Sequence, residues 1–537
     1  MAPRKPIQDV IQAISAKDAS AADLYHALPP EARRKVLDAF DARGLRSLTG
    51  LIKAAKKKRF AAANKRFLEI ASGTADPCGS GEPTPARTAS ENERSRVTSP
   101  LEGATQAGVQ NFNSSHGERE GEAPAALLVE GATQASVQNF NSSHGEREGE
   151  APAALLVEGA TQAPVISTPV YLIDETLIEE NMRILQYVKD RTGCKIFHAL
   201  KAYAVFATFP VMSRYLDGTC ASGLNEARLG REEFKKEVHT FGAAYREDEI
   251  DRILRYSDSI IFNSFHQLET YGRRARKQGV EIGLRVNPGH AEVETEMYNP
   301  CAPRSRLGIV HDAFKDEFPG YGDMVDGLHF HAMCEQNSDV LERILVFFER
   351  LYGPCIRGLK WVNFGGGHHI TRDDYDIERL VGLVNSFKER YGVQVYLEPG
   401  EASILNAGVL IASVLDIVKN EAEIAIIDAS AEAHMPDVLL MPYRPNIMKS
   451  GEPNDKQYTY RIAGPTCLAG DIVGDYSFDQ PLKRGDRLVF TDMALYSIVK
   501  NTTFNGINLP DIAVVRDGGT VEPVKRFGYK DYRDRQS

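Results

Sequence analysis

The sequence predicts an α/β protein: a parallel (β/α)8 barrel over residues 166–403, followed by a mainly β domain over residues 404–537. The barrel is predicted because short apolar runs alternate with helical patterns such as those at 224–234, 247–255 and 340–351. Eight strands alternating with helices are typical of a closed barrel, and an open doubly wound sheet is the second interpretation. The runs end near Lys201, Ser222, Gly242, Asn263, Val286, His331, Phe364 and Glu398.

The alternation stops after Glu401. Apolar runs at 404–418, 423–428, 458–462 and 487–491 are separated by Gly, Pro, Asn and Asp, which is the pattern of strands joined by turns. This region is therefore predicted to be a β domain. A further strand at 169–174 precedes the barrel, and we expect it to join the β domain.

Residues 1–75 are predicted to form short helices, because apolar positions recur at helical spacing. This segment contains 15 Lys and Arg against 7 Asp and Glu, a net charge of 15 − 7 = +8, whereas the remainder is acidic. Such a basic segment could bind nucleic acid or an acidic partner. A solvated helical face is the favoured interpretation, since runs of charge are weak signals.

Residues 76–165 are rich in Pro, Gly, Ser, Thr and Glu, and they contain a repeat. A block that begins at Glu102 restarts at Glu130 and at Glu158, a spacing of 28 residues, and the first two copies differ only at Gly108 and Ser136. A solenoid needs a regular apolar stripe in every repeat, and these repeats lack one. We therefore predict a disordered linker that arose by tandem duplication.

Composition narrows the function of the whole chain. The net charge is −10 over 537 residues, which does not suggest nucleic-acid binding, and no apolar stretch is long enough to cross a membrane. The seven cysteines are scattered without a CxxC pair, as expected for a reducing compartment. We expect a cytoplasmic protein with no nucleic-acid or membrane partner.

Residues suited to chemistry follow three of the predicted barrel strands. Lys201 ends the first strand, where loss of water would make its amine nucleophilic, as a Schiff-base lysine requires. The triplet 365–367 follows the seventh strand, and three successive glycines expose backbone N–H groups to an anion. Glu398 ends the eighth strand. All of these residues fall at the face of a barrel where active sites lie.

Two enzyme classes compete for this set. His329 and His331 alternate onto the same face of the sixth strand, so a metal-dependent hydrolase is one interpretation. A pyridoxal-phosphate enzyme is the other, and it also gives a role to the lysine, the glycines and the carboxylate. We favour the second class, with no metal.

From about Thr168 to its end, the chain resembles the fold-type III, alanine-racemase-like decarboxylases, the group of the ornithine and diaminopimelate decarboxylases. Within that group the carboxynorspermidine (carboxyspermidine) decarboxylases are the most similar branch. The resemblance is carried by the motifs HALK at 198–201, GLHFHAMCE at 327–335, NFGGGHH at 363–369, EPGEA at 398–402, HMPDV at 434–438, MPYRP at 441–445 and GPTCLAGD at 464–471.

The resemblance implies pyridoxal 5′-phosphate as the cofactor and a role for each matched residue. Lys201 would bind the cofactor covalently, His331 would stack on its ring and Glu398 would pair with its pyridine nitrogen. The phosphate would be held by Gly365, Gly366, Gly367, Gly400, Glu401 and Tyr496. Cys467 would come from the other subunit of a homodimer with shared active sites and return a proton to the substrate.

The same resemblance implies decarboxylation of a carboxylated polyamine. Leu468 follows Cys467 where ornithine and diaminopimelate enzymes carry an acidic residue, and Glu401 stands where many relatives have arginine. More negative charge suits a long polycation. The candidate substrate-binding residues are Glu335, Asp437, Asp471, Asp475 and Arg444. The alternatives left open are an ornithine-, lysine- or diaminopimelate-type decarboxylase and a non-catalytic homologue.

Overall fold

The structure, a computed structural model, describes residues 4–74 and 166–537. The repeat-bearing segment predicted to be a disordered linker at 76–165 lies outside the described residues. Four helices form the N-terminal segment: α1 (Arg4–Ser15), α2 (Ala21–His26), α3 (Pro30–Asp38) and α4 (Ala42–Ser72). Asp41 caps the start of α4 through bonds from the Arg43 and Gly44 amides, and Gly73, at φ +71°, ends it.

Helix α4 packs on the barrel with one face buried. Leu48, Ile52 and Phe67 belong to the same hydrophobic core as the barrel. The prediction of a solvated basic face is therefore wrong for Lys56, which is only 5% exposed, because helical spacing places it on the buried side of α4. Its neighbour Lys57 is exposed, as predicted.

Strand β1 (Val170–Asp174) and helix α5 (Glu175–Thr192) precede the barrel. β1 pairs with strands of the C-terminal sheet, antiparallel to Gly408–Asn420 and parallel to Asp511–Val515. The fold therefore returns to this strand after the barrel is complete. Asp174 caps the start of α5 by accepting hydrogen bonds from the Thr176 and Leu177 amides.

The barrel is closed, and the prediction of eight parallel strands is confirmed. Each strand pairs in parallel with its neighbours, and the ring closes where the last strand pairs with the first, so the open-sheet alternative is excluded. The strands are β2 (Lys195–Ala199), β3 (Gly218–Ala221), β4 (Glu237–Phe241), β5 (Ser259–Phe262), β6 (Glu281–Asn287), β8 (Gly327–His329), β9 (Trp361–Asn363) and β10 (Gln394–Leu397), with the two-residue β7 (Ile309–Val310) beside β6.

Helices follow the barrel strands on the outside and shield them from water. Helix α7 (Leu224–Leu229) continues as a π-helical turn over Gly230–Phe234. The helix and the turn together cover the predicted helix at 224–234. The helices are α6 (Phe209–Met212), α7 (Leu224–Leu229), α8 (Ile250–Tyr256), α9 (Phe265–Lys277), α10 (His311–Glu317), α11 (Ser338–Ile356) and α12 (Ile377–Tyr391).

The C-terminal domain is a mixed sheet, as predicted. Its strands are β11 (Gly408–Asn420), β12 (Ala422–Ile427), β13 (Tyr458–Ala463), β14 (Ile472–Phe478), β15 (Arg487–Thr491), β16 (Asp511–Val515) and β17 (Val521–Lys525), and its short helices are α13 (Glu401–Ile404), α14 (Ala431–His434), α15 (Asp437–Leu440) and α16 (Tyr529–Arg533).

Two details of this domain differ from the prediction. The strand expected at 404–418 begins at Gly408, because residues Glu401–Ile404 form α13. Strands β14, β16 and β17 were missed, and two of them, β14 and β17, lie at the two edges of the sheet. Edge strands face water on one side and tolerate polar residues and proline, which weakens the apolar pattern. Among the described residues, no helix combines the length and the apolar character needed to cross a membrane.

Aromatic side chains fill the barrel at the end opposite the site. Trp361 stacks on Tyr396 with ring centroids 5.3 Å apart, and Phe197 and Ile261 complete the cluster. Glycine is required at Gly327, since a Cβ there would lie 2.2 Å from the indole of Trp361. The packed aromatic layer makes the barrel a solid support for the residues at its other end.

We predict that Gly327→Ala lowers the melting temperature, because the added methyl group collides with Trp361 and overpacking costs about 1–3 kcal/mol. Gly382→Ala on α12 is the matched control, since a Cβ at that position meets nothing within 4 Å. The control should be neutral or stabilising, as alanine favours helix. Thermal unfolding followed by circular dichroism measures both variants, and equal melting temperatures would contradict this packing.

Candidate active site

A cavity of about 270 Å³ lies at the carboxyl ends of the barrel strands. Loops after the barrel strands form most of its wall, and Asp437, Met441, Tyr496 and Lys500 from the C-terminal domain form the rest. The cavity brings together ten residues that the sequence singled out: Lys201, His331, Glu335, Gly366, Gly367, Glu398, Gly400, Glu401, Asp437 and Tyr496.

Lys201 lies in the turn after β2, two residues beyond Ala199, the last residue of the strand. Its side chain lines the cavity and is exposed. We expected the strand to strip water from this amine, and that expectation is corrected, because the turn carries the lysine out of the barrel wall. The amine is therefore accessible to a ligand in the cavity.

Glu398 follows β10 and lies inside the barrel mouth with its side chain 12% exposed. Asn363 Nδ2 donates to Oε1 at 2.7 Å, and His329 Nε2 lies 3.5 Å from Oε2. Burial by itself would raise the pKa of Glu398, but His329 and Asn363 outweigh it and hold that pKa below its usual value. The site thus contains a carboxylate that stays charged although it is largely buried.

The glycine triplet has a geometry that other residues cannot adopt without strain. Gly365 and Gly367 have φ of +71° and +82°. A Cβ on Gly366 would lie 2.5 Å from the carbonyl oxygen of Glu398, and one on Gly367 would lie 2.1 Å from that of Met333. The loop therefore passes as close as backbone can to the neighbouring strand ends.

The amides of this triplet do not all face an anion. Gly365 N donates to Asn363 Oδ1 at 2.8 Å, and Gly366 N donates to His331 Nδ1 at 2.8 Å. Both donors are engaged within the protein, so the predicted phosphate contacts of Gly365 and Gly366 through their amides do not fit this structure. Among the described residues, no hydrogen bond occupies the amides of Gly367, Gly400 and Glu401.

The hydrogen bond from the Gly366 amide fixes the tautomer of His331. Because Nδ1 accepts a hydrogen bond from an amide, the ring proton belongs on Nε2 when the imidazole is neutral. Burial, with a smaller contribution from the charge of Lys201, lowers the pKa of His331 well below its usual value. His331 therefore presents a neutral ring at the cavity wall.

Glu335, His369 and Glu401 form an acidic cluster on the other side of the cavity. His369 Nε2 lies 3.2 Å from Glu401 Oε2, and one ligand atom of each residue lies within 4.8 Å of the others. Within residues 4–74 and 166–537 this is the one group of three or more such side chains spaced to hold a metal ion. Burial and then the charge of Glu401 raise the pKa of Glu335. The cluster gives the cavity a negative end.

Asp437 also lines the cavity, but it is paired. Lys500 Nζ donates to its two oxygens at 2.6 and 2.8 Å, and Tyr298 lies beside the pair with its hydroxyl 3.3 Å from Asp437 Oδ1. Lys500 also lies 5.1 Å from the ring centroid of Tyr496. Sequence reasoning missed Lys500 and Tyr298, because neither residue belongs to a recognisable motif.

Arg285 is a further residue that sequence reasoning missed. It lies on β6, is 5% exposed and places its guanidinium 4.5 Å from the ring centroid of Phe241. Burial lowers the pKa of Arg285 to about 10. Arg285 lines a smaller cavity together with Lys201 and Glu398. The signal that could have found it was a charged residue within the otherwise apolar run 282–286.

Besides Gly365, four predicted residues do not line the cavity of their own subunit. Asp471 is buried, and its carboxylate accepts hydrogen bonds from Ser430 Oγ at 3.0 Å, from the Ala431 amide at 2.7 Å and from Thr466 Oγ1 at 2.6 Å. The prediction that it binds a substrate amine does not fit this cavity, because the Asp471 carboxylate holds the loop of Cys467 to the start of α14.

Asp475 and Arg444 likewise serve the C-terminal sheet. Asp475 pairs with Arg461 at 2.8 Å, and Arg444 lies 4.6 Å from the ring centroid of Tyr476. Cys467 is exposed, and its amide donates to Asn505 Oδ1 at 2.5 Å. The structure therefore places none of these three side chains against Lys201 of the same chain.

Comparison with known proteins identifies the class. A family model described as "Pyridoxal-dependent decarboxylase, C-terminal sheet domain" matches residues 39–494. The chain belongs to this family of pyridoxal-dependent decarboxylases.

Individual relatives narrow the branch. A carboxynorspermidine/carboxyspermidine decarboxylase of Campylobacter jejuni is 43% identical over 68% of this chain and 98% of its own length. A carboxyaminopropylagmatine decarboxylase of Synechocystis is 38% identical over 69% of this chain and 95% of its own length. The crystal structure of carboxynorspermidine decarboxylase from Campylobacter jejuni in complex with norspermidine aligns with a TM-score of 0.64 at 41% identity, covering 69% of this chain and all of that one.

The cofactor of this family is pyridoxal phosphate, and the cavity fits it. Such a cofactor needs an amine for its aldehyde, N–H donors for its phosphate and an anion for its ring nitrogen. An accessible lysine, unoccupied backbone amides and a charged, largely buried carboxylate are all present in one cavity. Gly366 and Gly367 bring the backbone close to the cavity, and a Cβ on either residue would collide with a neighbouring carbonyl oxygen.

We predict that Gly366→Ala lowers the pyridoxal phosphate content, because its methyl group would meet Glu398 and His331 where the loop borders the cavity. The content is measured as cofactor released per subunit after alkaline denaturation. Gly382→Ala should retain the wild-type amount, since a Cβ at that position meets nothing within 4 Å. A variant Gly366→Ala that holds a full complement of cofactor at equal affinity would show that the close approach is not needed.

Proposed function

We propose that this chain decarboxylates carboxynorspermidine or carboxyspermidine to the corresponding triamine. The observation that carries the proposal is the acidic cluster, because its members Glu335 and Glu401 line the same cavity as Lys201 and Glu398. A substrate with one carboxylate to lose and further ammonium groups along its chain matches a cavity with this distribution of charge. The relative that is 43% identical bears that activity in its name.

The residues of the cavity would have separate tasks in this proposal. The carboxylate of Glu398 would pair with the ring nitrogen of the cofactor, and the neutral imidazole of His331 would contact the ring. Lys201 would hold the cofactor covalently through its aldehyde. Gly367, Gly400, Glu401 and Tyr496 would hold the phosphate, the first three through backbone amides.

Pyridoxal phosphate, when bound, supplies a sink for the electron pair left behind as CO2 departs. The residues of the chain orient the substrate and control protons around this event. Glu335 and Glu401 attract the distal ammonium groups, which fixes the direction in which the substrate lies. Asp437 is held by Lys500, so it contributes less free negative charge than the acidic cluster does.

Proton return requires a donor, and we propose that Cys467 supplies it in a homodimer. Its thiol lies on the surface, outside the cavity of its own subunit. Leu468 and Phe504 beside it are also exposed, at 41% each, and apolar surface of this kind is commonly covered by a partner. An exposed thiol also suits a reducing compartment, and the six cysteines of the described chain are all free, so we infer a cytoplasmic enzyme.

Direct assay of CO2 release tests the substrate. We expect the highest kcat/KM with carboxynorspermidine or carboxyspermidine and low values with ornithine, lysine and diaminopimelate. Carboxyaminopropylagmatine belongs in the same panel, because a relative at 38% identity is named for it. Glu335→Gln should raise KM for the preferred carboxylated triamine about tenfold and leave kcat within about twofold, since the substitution removes one ionic contact worth about 1–2 kcal/mol. Highest activity with ornithine would overturn the proposed substrate.

Subunit mixing tests the shared active site. Lys201→Ala and Cys467→Ala should each be inactive or nearly so, and a refolded equimolar mixture should recover about one quarter of wild-type activity, because half of the dimers are mixed and each has one complete site. Cys355→Ala, on α11, is the matched control and should stay active. Absence of recovery in a mixture shown to contain mixed dimers would exclude Cys467 as a donor in trans.

A further inference from the structure

The N-terminal helical segment, residues 4–74, precedes the barrel and packs on it. About two thirds of this chain suffices to cover 95–98% of the curated relatives. Residues 4–74 nevertheless pack on the barrel, with Phe67 and Leu48 in its hydrophobic core. Arg33 pairs with Asp190 of α5 at 2.7 Å, with both side chains about one tenth exposed. The segment is thus anchored to the barrel wall.

Two lysines of α4, one helical turn apart, hold the loop that follows the glycine triplet. Lys53 Nζ donates to the carbonyl oxygens of Asp373 at 2.9 Å and Tyr375 at 2.7 Å. Lys56 Nζ donates to the carbonyl oxygen of Thr371. Lys56 is 5% exposed, and burial lowers its pKa to about 8. A buried amine with a single carbonyl partner fixes that carbonyl strongly, because neither group has water as an alternative.

The other side of the same loop reaches the cavity. Thr371 Oγ1 donates to the carbonyl oxygen of Ala402 at 2.7 Å, and Ala402 directly follows Glu401. Arg372 Nη1 donates to the carbonyl oxygen of Glu335 at 3.0 Å. His369, at the start of the loop, touches Glu401 at 3.2 Å. Residues 369–372 therefore connect all three members of the acidic cluster.

We propose that Lys56 is a positioning residue that acts through Thr371 to set the acidic cluster for the distal ammonium groups of the substrate. The path is short: the Lys56 amine binds the Thr371 carbonyl, the Thr371 hydroxyl binds the backbone beside Glu401, and Glu401 contacts His369. The N-terminal segment thereby contributes to substrate selection without entering the cavity. This inference rests on the proposed function for its ligand, but not for its geometry.

The test compares Lys56→Met with Lys57→Met in the full-length chain. Methionine keeps the length of the buried lysine and removes its donor, while Lys57 is exposed on the same helix and serves as the matched control. Lys56→Met should raise KM for the preferred carboxylated triamine about tenfold, with kcat and pyridoxal phosphate content within about twofold of wild type. The control should match wild type. A general loss of structure would instead lower kcat and cofactor content together.

Hydrogen–deuterium exchange supplies a readout that needs no substrate. Amides of residues 368–376 should exchange several-fold faster in Lys56→Met than in Lys57→Met, whereas those of β2 to β5 should not change. If the wild-type chain releases no CO2 from either carboxylated triamine while this difference is present, the proposed function fails and the positioning role stands. If exchange and KM are both unchanged, the positioning role is wrong.

A second variant covers the case in which Lys56→Met does not fold. Thr371→Val removes the hydroxyl that holds Ala402 and leaves the carbonyl bound by Lys56. It should give the same rise in KM with little change in kcat. Wild-type KM in Thr371→Val would contradict the path through Thr371.

Discussion

The structure depends on keeping one carboxylate charged in a largely buried position at the mouth of a barrel. Glu398 has this position, and the price of burial is offset by Asn363 at 2.7 Å and by the nearby His329. Glu398 and these two partners come from the ends of three neighbouring strands, β10, β9 and β8. Only the closed and correctly registered barrel therefore assembles them. The fold thus supplies the electrostatic condition for the chemistry before any ligand binds.

The neighbouring backbone is organised around the same point. Asn363 uses its amide nitrogen for Glu398 and its oxygen for the Gly365 amide, and the next glycine, Gly366, binds His331. The glycine triplet therefore has two tasks: it fixes the imidazole ring and brings the free amide of Gly367 close to the cavity. A single loop thus connects Glu398, His331 and this free amide.

Much of this could be predicted from the sequence. Alternating apolar runs gave the eight strands, because parallel strands buried on both faces are continuously apolar. Lys201, His331 and Glu398 could be placed because each follows such a run. The contact between Asn363 and Glu398 could not be predicted, since it is recognisable only when β9 and β10 are paired. The engaged amides of Gly365 and Gly366 were hidden for the same reason, and the burial of Lys56 depends on a contact that spans more than 300 residues of chain.

The central claim is that the amine of Lys201 carries pyridoxal phosphate opposite Glu398. Borohydride reduction of the purified holoprotein, followed by proteolysis and mass spectrometry, measures this directly. The account predicts one phosphopyridoxyl group per subunit on the peptide that contains Lys201, and none in Lys201→Ala. A label on another lysine, or an unlabelled protein that still releases CO2, would contradict it.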